Sequence, residues 1–83
     1  MNYGSVLEIS RSGAGGMAKT IAFTVADASW SGLVWYANGQ LRGTGAEFTL
    51  YAADYPIREH TVSVEGYLNN VPYSNSFKVE VVR

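Results

Sequence analysis

Apolar side chains recur at every second position through most of this chain, and short clusters of Gly, Asn, Asp and Ser cut the pattern into short pieces. An alternation of this period is a strand signal, because successive side chains of a strand point to opposite faces. Ile21, Phe23 and Val25 share one face against Thr20, Ala22 and Thr24. Leu33, Trp35 and Ala37 share a face against Val34 and Tyr36. Phe48 and Leu50 alternate with Glu47, Thr49 and Tyr51, and Val62 and Val64 with Thr61, Ser63 and Glu65. Phe77, Val79 and Val81 alternate with Lys78, Glu80 and Val82. Leu7 and Ile9 against Glu8 and Ser10 predict a first strand over 5–11. No window carries a helical apolar stripe; the nearest, 50–58, contains Pro56 and reads as a loop with a single helical turn.

Strands with one apolar face need a second layer to cover that face. The pattern therefore predicts an all-β protein: an antiparallel β-sandwich of about seven strands in two sheets, forming one domain over 1–83. A small barrel is the alternative architecture. Turn chemistry supports the division. Asn38-Gly39 is the strongest short hairpin signal, since both residues accept the positive φ of a type I′ turn. The stretch 69–72, Asn-Asn-Val-Pro, marks a second turn, and the glycine-rich 12–16 reads as a hairpin loop between the first two strands.

Composition narrows the function classes. Six basic residues against seven acidic ones give a net charge of −1, too little positive charge for a nucleic-acid groove. Cysteine is absent, which excludes disulfides, thiolate metal sites and a cysteine nucleophile. Apolar runs are short, so the segment predicts no membrane insertion and carries no signal-peptide core. With 47% apolar and 16% charged residues, the chain is globular and not disordered.

Little in the sequence supports catalysis. Gly13-Ala14-Gly15-Gly16-Met17-Ala18-Lys19-Thr20 misses the phosphate-loop pattern by one residue, with Ala18 in place of the second glycine. That motif requires a helix directly after the loop, and here a strand follows. Asp27, Asp54, Glu47, Glu59 and Glu65 are scattered singly, unlike the clustered oxygen ligands of a calcium site, and one histidine without cysteine cannot build a zinc site. His60 could in principle join Asp54 and Ser63 in a catalytic triad, yet Ser63 alternates out of phase with it. The reading is that the protein is not an enzyme and has no catalytic residues, cofactor or metal.

Val34-Trp35-Tyr36-Ala37-Asn38-Gly39, Gly43-Thr44-Gly45 with Phe48-Thr49-Leu50, and His60-Thr61-Val62-Ser63-Val64 resemble bacterial immunoglobulin-like domains. In pattern they also overlap the polycystic-kidney-disease-type domains. The resemblance covers about 33–82. It implies an immunoglobulin-like sandwich with Trp35 buried on the third strand, and with apolar side chains where antibody domains carry a disulfide. His60 stands two residues before the core position Val62, where such sandwiches place a corner residue whose polar tip bonds upstream backbone. On that reading a tyrosine would serve there as well.

The function implied is that of a non-catalytic structural, spacer or adhesion module, one domain of a larger bacterial cell-surface or secreted protein. Its partners would be neighbouring domains of the same chain, and it would be a monomer. An extracellular, cell-surface or periplasmic location rests on the resemblance alone. Strands of about 8–10 residues at ~3.3 Å each, with loops, give a rod roughly 35–40 Å long. The alternative is a carbohydrate- or protein-binding module. Its ligand contacts would be Trp30, read as a loop residue, and Tyr36, Tyr51, Tyr67 and Tyr73, read as facing outward. Exposed aromatics of this kind stack on sugars or anchor interfaces.

Overall fold

The computed structural model describes residues 6–83. Seven strands form among them: β1 (Val6–Ser10), β2 (Thr20–Thr24), β3 (Trp30–Ala37), β4 (Gln40–Thr44), β5 (Glu47–Tyr51), β6 (Glu59–Leu68) and β7 (Val71–Val82). Two single turns of 3₁₀-helix, Ala14–Gly16 and Ala52–Asp54, interrupt the connections. The strands make a five-stranded sheet in the order β1-β7-β6-β3-β4 and a two-stranded sheet of β2 and β5. The architecture is thus all-β and sandwich-like.

Two parts of the expectation are corrected. The sandwich is not wholly antiparallel, because β1 pairs parallel with β7, Val6 opposite Lys78 through Ser10 opposite Val82. Nor is 12–16 a hairpin loop. It carries the chain from the edge of the large sheet to the small one, so β1 and β2 never pair. Because the chain crosses to the small sheet directly after β1, β1 is free to pair with a strand distant in sequence, and a parallel pair requires such a long connection.

The two hairpins follow their turn residues. Asn38 (φ 52°) and Gly39 (φ 82°) form the link between β3 and β4, closed by Ala37 opposite Gln40. Asn69 and Asn70, φ 53° and 66°, do the same between β6 and β7. This second turn is shorter than the 69–72 read from sequence, for Val71 already pairs with Leu68 and Pro72 with Tyr67. Pro72 is tolerated in the strand because its nitrogen points away from β6, and β1 begins pairing with β7 only at Lys78.

Between the sheets lie Ile9, Trp35, Ala37, Leu50, Ala52, Tyr55, Val62, Val79 and Val81, all buried, with Ile21, Phe23, Val25, Phe48 and Val64 packed against them. Trp35 is 1% exposed. Its ring stacks on Phe48 at 5.6 Å between centroids and tilts against Phe23 at 5.9 Å. Its indole Nε1 donates to the Gly45 carbonyl at 2.8 Å. One side chain thus ties β3 to both strands of the opposite sheet and to the turn before β5.

The small sheet is too short for the large one. β2 and β5 have five residues each, whereas β6 has ten and β7 twelve. The β6–β7 hairpin therefore overshoots its cover. It also lengthens the body to 43 × 28 × 21 Å, beyond the rod length expected from sequence.

Candidate functional site

Where the cover runs out, the inner face of the large sheet forms an open cleft of about 620 Å³. Trp30, Leu33 and Trp35 of β3, Val64 and Gly66 of β6, and Tyr73, Asn75 and Phe77 of β7 border it, with Ala22 to Thr24 of β2 and the following Val25 as the opposing wall. Trp30 and Tyr73 meet edge to face, 5.5 Å between centroids. Phe77 sits deeper, 5.2 Å from Phe23.

A bulge places Trp30 there. Alternation counted back from Trp35 would send Trp30 to the outer face. The β3–β6 register shifts between Ser31 and Val34, so that Gly32 and Leu33 together oppose Gly66. The extra residue inverts the phase, and Trp30 pairs with Leu68 on the same face as Val62 and Val64. Gly66 makes room for this. A Cβ there would come within 2.6 Å of Leu33 Cδ2 and 3.3 Å of Trp30 Cε3, so the two side chains lie directly over its backbone.

Of the five aromatics singled out from sequence, only Trp30 and Tyr73 come together. Trp30 is not in a loop but begins β3, and it is half-buried. Tyr73 does not face outward. It lies opposite Gly66, in phase with Phe77 and Val79, and is 51% exposed only because no strand covers it. Tyr36 and Tyr67 are on the outer face of the same sheet. Tyr67 lies over Gly32 and beside Pro72 and Val34 in a shallow hollow of about 370 Å³. Tyr51 is on the small sheet, paired with Thr20 and exposed. The sequence reading missed Leu33 and Asn75 as cleft residues. The alternation of β7 could have found Asn75; nothing in the β3 pattern marks the bulge except Gly32.

Tyr36 has its own partner. Its hydroxyl donates to Glu65 Oε1 at 3.1 Å. That hydrogen bond, then desolvation, then the nearby carboxylate charge raise the Tyr36 pKa above the ordinary 10.0. A raised folded-state pKa means the fold favours the neutral phenol. The contribution to stability is complete below pH 10.0 and is lost as pH rises through the pKa of Tyr36 itself. An ultraviolet titration should show Tyr36 ionising above its ordinary value, and Glu65→Ala should return it there. Asp27 is shifted the other way. The Ser29 backbone N–H, 2.8 Å from Oδ1, and then the Ser29 hydroxyl lower its pKa below 3.8. Its small, exposed contribution is present above pH 3.8 and is lost as pH falls through its own pKa.

At the other end of the molecule, His60 is buried at 1% exposure with both ring nitrogens bonded. Nε2 lies 2.8 Å from the Pro56 carbonyl, which can only accept, so Nε2 carries the proton. Nδ1 then accepts from Asn38 Nδ2 at 2.8 Å, and Asn38 Oδ1 accepts the Thr61 N–H at 3.0 Å. The ring also meets Tyr55 edge to face at 5.1 Å. The upstream backbone bond is the one expected of a corner residue. The second bond goes beyond that expectation, and a phenol in place of the imidazole would leave Asn38 Nδ2 without this acceptor. Ser63 lies on the opposite face of β6 from His60, so the two do not form a catalytic pair. Among the described residues no group of three or more His, Asp or Glu converges, and no helix is long and apolar enough to cross a membrane.

No family model, curated protein or solved structure matches this chain.

Proposed function

We propose that this protein is a non-catalytic immunoglobulin-like module of a bacterial cell-surface or secreted protein, with a spacing or adhesive role between neighbouring domains. The observation that carries this reading is the parallel pairing of β1 with β7 in an elongated body. The chain enters and leaves travelling in the same direction, so successive domains continue along the strand axis instead of folding back. The strand order supports the immunoglobulin-like reading, as does a central Trp35 held by both layers. The test is solution scattering on two copies joined head to tail. The longest dimension should rise to roughly twice the 43 Å of one copy. A dimension close to that of a single copy, from two copies lying side by side, would contradict the reading.

The cleft favours a second reading, recognition of an extended peptide. Trp30 and Tyr73 cross at 72°, so they offer no flat platform for a sugar ring, but they do border a slot for an apolar side chain. The adjoining wall is a strand edge. Val25 N bonds Ala46 O and Ala52 N bonds Lys19 O at the two ends of the β2–β5 ladder. By alternation Thr20, Ala22 and Thr24 turn their N–H and C=O groups to the other side. Among the described residues no strand borders that side, and β2 carries neither charge nor proline to block pairing. A strand added there would direct alternate side chains at the cleft. Peptides alternating Val and Thr, titrated by calorimetry, should bind the parent and lose roughly tenfold or more in affinity with Trp30→Ala or Tyr73→Ala. Equal loss with Tyr51→Ala, or no binding at all, would count against this reading.

A further inference from the structure

Asn38-Gly39 is the one Asn-Gly pair in the chain, and its chemistry is separate from both readings above. In such a pair the glycine nitrogen, unshielded by a side chain at Cα, can attack the asparagine Cγ. The new Cγ–N bond closes a cyclic imide, the Cγ–Nδ2 bond breaks, and the amide leaves as ammonia with the proton from the glycine nitrogen. Water then opens the imide at either carbonyl, giving aspartate or an isoaspartyl linkage. Attack requires the Asn38 side chain to swing onto Gly39.

In the folded protein that swing is blocked at both ends of the side-chain amide. Nδ2 is held by His60 Nδ1 at 2.8 Å and Oδ1 by the Thr61 N–H at 3.0 Å, while the Asn38 N–H donates to the Thr61 carbonyl at 2.8 Å. His60 cannot follow a moving Asn38, being buried, packed against Tyr55 and fixed through Nε2 to Pro56. Asn38 itself is exposed, so water reaches the site once the clamp opens.

We propose that Asn38 is a spontaneous deamidation site which buried His60 holds shut, so that modification proceeds only through opening of the His60–Asn38–Thr61 clamp. The isoaspartyl product is self-reinforcing, because its linkage adds a backbone atom to a turn whose register allows two residues and so favours the open state over the closed one.

The test is peptide mapping by mass spectrometry, with isoaspartate detection, after incubation at mildly alkaline pH. In the folded parent, Asn38 should convert at least roughly tenfold more slowly than in the same chain unfolded in urea, because the rate follows the open population. His60→Leu, which removes both bonds of the ring, should speed conversion of Asn38 by roughly tenfold in the absence of urea. Asn69, Asn70 and Asn75 should keep their parent rates. If His60→Leu does not fold, His60→Gln is read in the same way, and the folded-to-unfolded ratio of the parent decides independently. Conversion in the folded parent at the unfolded rate, or in a folded His60 variant at the parent rate, would overturn the proposal.

Discussion

Trp35→Ala should lower the unfolding free energy by about 3–5 kcal/mol, the range for deleting a large aromatic from a packed core. A domain of this length has only about 4–12 kcal/mol in total, so the urea midpoint should fall by roughly a quarter or more. The size follows from what the ring holds together. It spans the gap between β3 and both strands of the small sheet through Phe23 and Phe48, and truncation leaves a cavity that two short strands cannot collapse to fill. The Gly45 carbonyl also loses its indole donor, in a turn that sets the start of β5. Trp35→Phe separates the terms, since it keeps most of the packing and removes the hydrogen bond. It should cost about 1–2 kcal/mol. A Trp35→Ala variant with an unchanged urea midpoint would mean that the two sheets do not pack through this residue.

His60→Leu carries the second large effect, an expected loss of about 2–4 kcal/mol. Leucine nearly fills the volume, so the loss is polar in origin: the Pro56 carbonyl and the Asn38 amide both lose partners. His60→Tyr should be intermediate, keeping a polar tip for Pro56 and leaving Asn38 unpaired. Urea unfolding of the two variants checks the order. If His60→Tyr is as stable as the parent, the Asn38 bond contributes nothing and the ring acts only through its upstream bond.

The strands and turns were legible because each rests on local rules. Alternation set the inner faces of β2, β5 and the first half of β6, and Asn38-Gly39 announced its own turn. What the sequence concealed was non-local. The parallel β1–β7 pair depends on the chain crossing to the small sheet directly after β1, and alternation carries no information about which strand lies alongside. The cleft was hidden twice. Its opening arises from the unequal lengths of β2 and β7, which are visible only once the sheets are stacked. Its aromatic pair depends on a bulge of one residue, which turns Trp30 to the inner face, whereas the sequence reading places Trp30 in a loop. Tyr73 has a simpler explanation: the sequence reading places 69–72 in a turn and counts the last strand from Phe77, whereas the alternation of β7 carried back through Asn75 sets Tyr73 on the inner face. Tyr55 gave no periodic signal at all, since it follows a 3₁₀ turn in the β5–β6 connection, yet it is buried beside His60.

Pulling on single molecules from their two ends tests the spacing role most directly. Val6 to Ser10 lie beside Lys78 to Val82 in parallel register. The seam is continued by Arg11 N on Val82 O and by Ser10 Oγ on Arg83 O. Tension along the chain therefore shears these bonds together and cannot peel them one at a time. The account predicts a single cooperative rupture in which β1 and β7 separate before any other strand, and Ser10→Ala should lower the rupture force. Gradual extension at low force, or a first event that releases the β3–β4 hairpin while β1 and β7 stay paired, would contradict it.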